Sequence, residues 1–127
     1  MNSVLIVEDE LSLQELYELI LSINGFKIVG KASNGYEAVE VYKSLSIKPD
    51  VVIMDHRMPI KTGLEATKEI MQIDPQARII IATADEEIEK MARSMGIISF
   101  KSKPFSNDRL INNIRKAINN PPVQANI

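Results

Sequence analysis

Cysteine is absent from this 127-residue chain, and histidine occurs once, at position 56. The first absence excludes disulfide staples and thiolate metal sites, and together they argue against a soft metal centre. Long apolar runs are also missing. The run nearest the amino terminus, Val4 to Val7, is broken at once by Glu8-Asp9-Glu10, so nothing resembles a signal peptide or a membrane span. A large excess of either charge is lacking too: the formal net charge is −2, with Lys and Arg spread along the whole chain. That removes the electrostatic footprint of a strong nucleic-acid or anionic-membrane binder. The expectation is a cytoplasmic protein that contacts neither nucleic acid nor membrane directly.

One ordinary domain fits this length, burying roughly two thirds of the surface its unfolded form exposes. What is present is an alternation of short apolar runs with helix-period segments. Candidate strands are Val4 to Val7, Lys27 to Lys31, Val51 to Met54, Arg78 to Ala82, and a weaker one at Ser99 to Lys101. Between them, Leu13, Leu16, Tyr17 and Ile20 repeat at helical spacing, as do Ala38, Val41, Tyr42 and Leu45, and then Ile88, Met91, Ala92 and Met95. Asn34 precedes Glu37 and Thr62 precedes Glu65 at capping-box spacing, while Gly25, Gly96 and Asp74-Pro75 stand where helices should stop. A last helix carries Leu110, Ile111, Ile114 and Ile118, and Asn119-Asn120-Pro121-Pro122 ends it. The expected domain is therefore 1–120, followed by a flexible tail, 121–127.

Five strands alternating with five helices imply an α/β doubly wound, flavodoxin-like parallel sheet, in the order 2-1-3-4-5. Ligands of such sheets bind beyond the carboxyl ends of the strands, where strands 1 and 3 send their connections to opposite faces. Glu8, Asp9 and Asp55 occupy those ends. Three carboxylates brought together repel one another, so the site must bind a cation, hold protons or use a nearby basic side chain. Magnesium suits oxygen ligands and is commonly held by one or two carboxylates plus a phosphate. Calcium is compatible with the same ligand type, but no stretch has the spacing of an EF-hand loop. A lone Asp at a strand end is more often a cap or a solvated loop residue. Asp55 is not alone, because Thr83-Ala84 and Lys103-Pro104-Phe105 follow the fourth and fifth strands.

Taken in order, Glu8-Asp9, Asp55 with Met58-Pro59 and Gly63, Thr83-Ala84, Phe100, and Lys103-Pro104-Phe105 resemble the receiver domain of two-component response regulators. The resemblance covers nearly the whole chain. It implies that Asp55 is a phosphoacceptor, a carboxylate nucleophile that takes a phosphoryl group from a histidine kinase or a phosphotransfer protein. It implies a Mg²⁺ site made by Asp9 and Asp55 directly, Glu8 through a water, and the backbone carbonyl of Arg57. Many members of the family have Asp where Glu8 stands, and Glu is also common there. Lys103 and Thr83 would approach the phosphoryl oxygens, with the Lys-Pro bond typically cis. Ala84 would leave the pocket open, and Arg57 and Asp85 would flank it at positions that vary in the family and influence how quickly the acyl phosphate hydrolyses. His56 is expected to be a loop or partly packed residue without a catalytic role or a metal ligand's.

By the same resemblance, Thr83 moving towards the phosphoryl group would vacate space for Phe100. The surface of helix 4, strand 5 and helix 5 would then change. That surface, with Lys90, Lys101 and Lys116, would receive a downstream protein, and it is the expected place for a homodimer should one form. Three other readings compete with this one. An aspartate-nucleophile phosphatase normally needs a second acid two residues on, where Arg57 stands. A flavin module wants a hydroxyl- or glycine-rich loop where Glu8-Asp9-Glu10 stands. A receiver working as an interaction module without phosphorylation keeps every residue named and differs in chemistry alone.

Overall fold

A computed structural model, describing residues 2–119, shows strands and helices in regular alternation. These are β1 (Ser3–Val7), α1 (Leu11–Ile23), β2 (Lys27–Ala32), α2 (Gly35–Ser44), β3 (Val51–Met54), α3 (Gly63–Ile73) and β4 (Ile79–Thr83). A short 3₁₀ turn (Glu86–Ile88) then leads into α4 (Glu89–Ser94), followed by β5 (Ser99–Ser102) and α5 (Asn107–Asn119). All strand pairs are parallel and the order is β2-β1-β3-β4-β5, as the alternation implied.

The central strands read as unbroken apolar runs because helices cover both faces. Alternate residues go to opposite sides. Leu5, Val7, Val52, Met54, Ile79, Ile81 and Phe100 pack with Ala38, Tyr42, Ala66, Ile70 and Ala92 from α2, α3 and α4. Val4, Ile6, Val51, Ile53, Ile80 and Ala82 pack with Tyr17, Ile20, Leu21, Leu110 and Ile114 from α1 and α5. Each fully buried aliphatic side chain contributes about 1.5–3 kcal/mol relative to exposure, so these two layers supply most of the drive to fold.

Several boundaries differ from the sequence reading. Arg78 precedes β4 and Thr83 closes it, while β5 runs on to Ser102. The fourth helix is split, because Asp85 accepts from the amide of Glu87 and starts a tight turn before the α-helical hydrogen bonds begin. Leu16 and Met91, both expected in buried stripes, are exposed. The face of α1 that meets the sheet is set by Gln14, Tyr17, Ile20 and Leu21, which turns Leu16 outward. In the short α4 only Ala92 is buried.

Thr62 makes the full capping box with Glu65 at the start of α3. Asn34 accepts from the amide of Glu37 at 2.8 Å, but the carboxylate of Glu37 takes the amide of Ser33 instead of closing the box on Asn34. Gly25 and Gly96, with φ of 87° and 91°, follow the ends of α1 and α4 in the left-handed region that glycine enters without strain. Among the described residues no helix is long and apolar enough to cross a membrane. The expected tail, 121–127, lies outside the described residues.

Candidate functional site

The central pair of strands positions the acidic residues by backbone hydrogen bonds. Val7 pairs with Met54, and the ladder continues one step further: the amide of Asp55 donates to Val7 O at 3.0 Å and the amide of Glu8 to Ala32 O at 3.0 Å. Beyond this point β1 leads into α1 on one face and β3 into α3 on the other, which opens the crevice the sheet order requires. Gln14 fixes the first loop from α1, its amide Nε2 donating to Glu8 O at 2.9 Å and to Ala32 O at 3.2 Å. Sequence reasoning missed Gln14. Its signal was a polar side chain one turn before Tyr17 on the buried face of α1.

The other loop is drawn tightly over Asp55. The amide of Gly63 donates to His56 O at 2.9 Å, and a Cβ on Gly63 would lie 1.9 Å from Asp55 O, so only glycine allows α3 to begin there. His56 is half-buried, and its Nδ1 accepts from the amide of Leu64 at 3.3 Å, which assigns the ring a packing role at the start of α3. Met58 is buried beneath the same loop.

Carboxylate oxygens of Glu8, Asp9 and Asp55 all lie within 4.8 Å of one another. Glu8 and Asp55 are buried and Asp9 is exposed. Lys103 enters from the end of β5, its own amide donating to Thr83 O at 2.8 Å and its bond to Pro104 cis. Its ammonium donates to Glu8 Oε1 at 2.8 Å and stands 3.7 Å from Asp55 Oδ2. The remaining acceptor sites are partly taken: Glu8 Oε2 receives the amide of Glu10 and Asp55 Oδ1 the amide of His56. Burial holds the carboxyl of Glu8 above its usual range, and the neighbouring Asp55 adds to this. The Lys103 ammonium and the Glu10 amide pull the other way. Burial also raises the hydroxyl of Tyr17, with help from Glu8, Asp55 and Glu10, so the ring of Tyr17 borders the same negative field.

Thr83 is buried at the end of β4, and its Oγ1 accepts from the amide of Asp85 at 3.2 Å. Ile81 pairs with Phe100 across β4 and β5 and packs in the same layer. Thr83, two residues beyond Ile81, therefore points to the same face of the sheet as Phe100. On the rim, Arg57 Nε and Nη2 both reach Asp85 Oδ2, at 3.3 and 3.2 Å. A groove of about 230 Å³ opens between α1 and the β5–α5 loop, lined by Leu13, Leu16, Tyr17, Lys103, Pro104 and Phe105 among others. Of the lysines suggested for the output face, Lys90 and Lys116 are exposed and Lys101 is half-buried.

The donor set tests which cation fits. Three carboxylates converge with no sulfur or imidazole among them, a hard-oxygen set that suits a divalent cation such as Mg²⁺ and not a soft metal. An acidic pocket of this kind, at the switch point of a five-stranded doubly wound sheet, is the arrangement of one class of signalling domain. Residues 4–115 match the response regulator receiver domain, and the chain belongs to that family. It is 43% identical over 120 residues to the chemotaxis protein CheY of Bacillus subtilis, spanning 93% of this chain and 98% of the relative. It is 41% identical over 115 residues to the CheY of Thermotoga maritima, spanning 89% and 94%. Among solved structures, the CheX–CheY–BeF₃–Mg²⁺ complex of Borrelia burgdorferi is similar, with a TM-score of 0.86 and 30% identity over 91% of this chain and 87% of that one.

Proposed function

We propose that the chain is a cytoplasmic receiver that takes a phosphoryl group onto Asp55 and passes the change to its α4–β5–α5 surface. The observation that carries this reading is the convergence of Glu8, Asp9 and Asp55 within 4.8 Å, with the Lys103 ammonium between Glu8 and Asp55 Oδ2. Asp55 Oδ1 already accepts from the amide of His56, which leaves Oδ2 as the attacking atom. Its lone pair forms the new O–P bond as the N–P bond of a phosphohistidine breaks. That electron pair returns to the donor imidazole, which then takes up a proton.

Asp9 and Asp55, Glu8 through a water, and the backbone carbonyl of Arg57 would hold Mg²⁺, and the magnesium-containing complex of the Borrelia relative supports this. When bound, Mg²⁺ supplies charge neutralisation to a loose phosphoryl transition state. Lys103 follows the transferred group as a point charge and Thr83 donates its hydroxyl to another oxygen. The donor is a histidine kinase or phosphotransfer protein, and the apolar groove beside Lys103 offers it a footing next to Asp55. Thr83 leaving its place frees room on the face it shares with Phe100, which alters the surface offered to a downstream protein. That the Bacillus and Thermotoga relatives are chemotaxis proteins makes chemotactic signalling the first setting in which to look for donor and target.

The test is intact-protein mass after incubation with acetyl phosphate, with and without Mg²⁺, for the native chain and for Asp55→Asn. A single added phosphoryl group that needs Mg²⁺ and is lost in the variant supports the reading. No adduct under any condition, with hydrolysis shown to be too slow to hide it, would instead support an interaction module that works without phosphorylation.

A further inference from the structure

Arg57 and Asp85 join the two loops that leave β3 and β4, each two residues beyond a residue of the proposed chemistry, Asp55 and Thr83. The pair is lopsided. Asp85 is anchored: its side chain is 13% exposed, its Oδ1 accepts from the amide of Glu87, and its own amide donates to Thr83 Oγ1. The next residue, Glu86, is tied to β5 by Ser102 Oγ at 2.6 Å. Arg57, in contrast, is 76% exposed, and its guanidinium spends two N–H groups on one oxygen rather than forking across both. An exposed pair of that geometry is weak and exchangeable.

Resting on the phosphoacceptor reading, we propose that phosphorylation of Asp55 transfers Arg57 from Asp85 to the phosphoryl oxygens, so that Asp85 keeps a second cation in reserve beside Lys103. A phosphoryl group carries about −1.5 to −2 charges and three acceptor oxygens, against the single charge and one engaged oxygen that Asp85 offers. Thr83 contributes to the exchange. Its oxygen now receives the amide of Asp85, and turning towards the phosphoryl group loosens that hold on the anchored end. Arg57 becomes a group that touches the transferred phosphoryl, while Asp85 is a positioning residue that acts through Arg57.

The experiment measures the dissociation constant of fluoroberyllate, a phosphoryl mimic, by calorimetry in Mg²⁺ on the full chain. The proteins are native, Asp85→Asn, Arg57→Gln, Arg57→Lys and the Asp85→Asn/Arg57→Gln double variant. Freeing Arg57 with Asp85→Asn tightens binding by about threefold and Arg57→Gln weakens it by about threefold, the scale of an exposed ion pair. In the double variant the gain from Asp85→Asn disappears, and Arg57→Lys keeps part of the native affinity. The proposal is overturned if Asp85→Asn tightens binding equally with and without Arg57, which would mean simple removal of a negative charge. It is also overturned if Arg57→Gln binds like the native protein. Native protein that binds no fluoroberyllate in Mg²⁺ would overturn the phosphoacceptor reading itself, a different result from either of these.

Discussion

Lys103 donates its ammonium to Glu8 at 2.8 Å and stands 3.7 Å from Asp55, so the pocket's cation is bound to the more buried carboxylate and only faces the other. The extra methylene that Glu8 has over Asp gives its carboxylate reach, and Lys103 follows it.

The electrostatic cost of that arrangement should emerge as a pH dependence of stability. Glu8 has its folded-state pKa raised, with burial the first cause, so the folded chain binds the proton more readily than the unfolded one. The resulting stability is present below the ordinary carboxylate pKa and is lost as pH rises through the raised value. Glu8→Gln removes this dependence, and without divalent metal it melts higher than the native protein above that window. Lys103→Met deletes one of the influences that lower the Glu8 value, so the window moves to higher pH. Melting curves recorded in chelator across the acidic to neutral range check both. Other groups titrate in the same range, Glu65 with its carboxyl held low by Thr62 among them. The contribution of Glu8 is therefore read as the difference between the native and Glu8→Gln curves, and a difference that does not change with pH contradicts the assignment.

Gly63→Ala places a methyl group where the carbonyl of Asp55 lies, 1.9 Å away, with His56 Cα at 2.8 Å as the next obstacle. Both are backbone, so no rotamer change relieves the contact, and the start of α3 must move away from β3. The expected loss is about 3 kcal/mol or more, the upper range for overpacking. Urea unfolding reads it as a lower midpoint. Since the displaced atoms belong to Asp55, the proposed uptake of phosphoryl from acetyl phosphate should also be slower in the variant at temperatures where it remains folded.

The sheet order and acidic pocket were legible because they follow from one-dimensional signals. Val4 to Val7 and Val51 to Met54 are apolar without interruption, and Glu8, Asp9 and Asp55 stand immediately after them. Thr62 and Glu65 likewise carry their capping box in their spacing. Rotation of a helix is not written so plainly. The period that marked Leu16 and Met91 as core fixes a stripe but not which edge of it meets the sheet, and both face outward. Partners between loops are harder still: Gln14 with Ala32, Arg57 with Asp85, and Lys103 with Glu8 rather than Asp55 depend on chain segments that meet only once the fold exists.

Lys48 illustrates such a contact away from the pocket. Its ammonium donates to the carbonyls of Tyr42, Lys43 and Leu45 at 2.5, 3.2 and 2.9 Å, so it closes the carboxyl end of α2 where those groups lack helical partners. It also lies 5.1 Å from the centre of the Tyr42 ring. Lys48→Met keeps the aliphatic stem and removes the charge, and it should cost about 1–2 kcal/mol, as for loss of charge-assisted hydrogen bonds that water replaces in part. The check is the urea midpoint at two salt concentrations. A loss that vanishes at high salt would mean long-range charge alone, while a loss that persists supports the capping bonds.

Ile60 is the one non-glycine residue at positive φ among the described residues, at 70°, and it is 80% exposed. The amide of Lys61 donates to Pro59 O at 2.8 Å, closing a three-residue turn around it. An L-residue in this region costs about 1–2 kcal/mol, and a β-branched side chain fares worse than most. Burial returns little of that, since most of the side chain faces solvent. Ile60→Asn places at this position a residue that tolerates the left-handed region and avoids the extra unfolded-state freedom that glycine would add. The variant should gain about 1 kcal/mol, seen as a higher urea midpoint at unchanged slope. Ile60→Ala separates the two contributions: it removes the β-branch but keeps Cβ, so it should gain less than Asn. Equal gains from both would assign the effect to lost surface hydrophobicity, and a loss from Asn would show that the turn is not strained by its isoleucine.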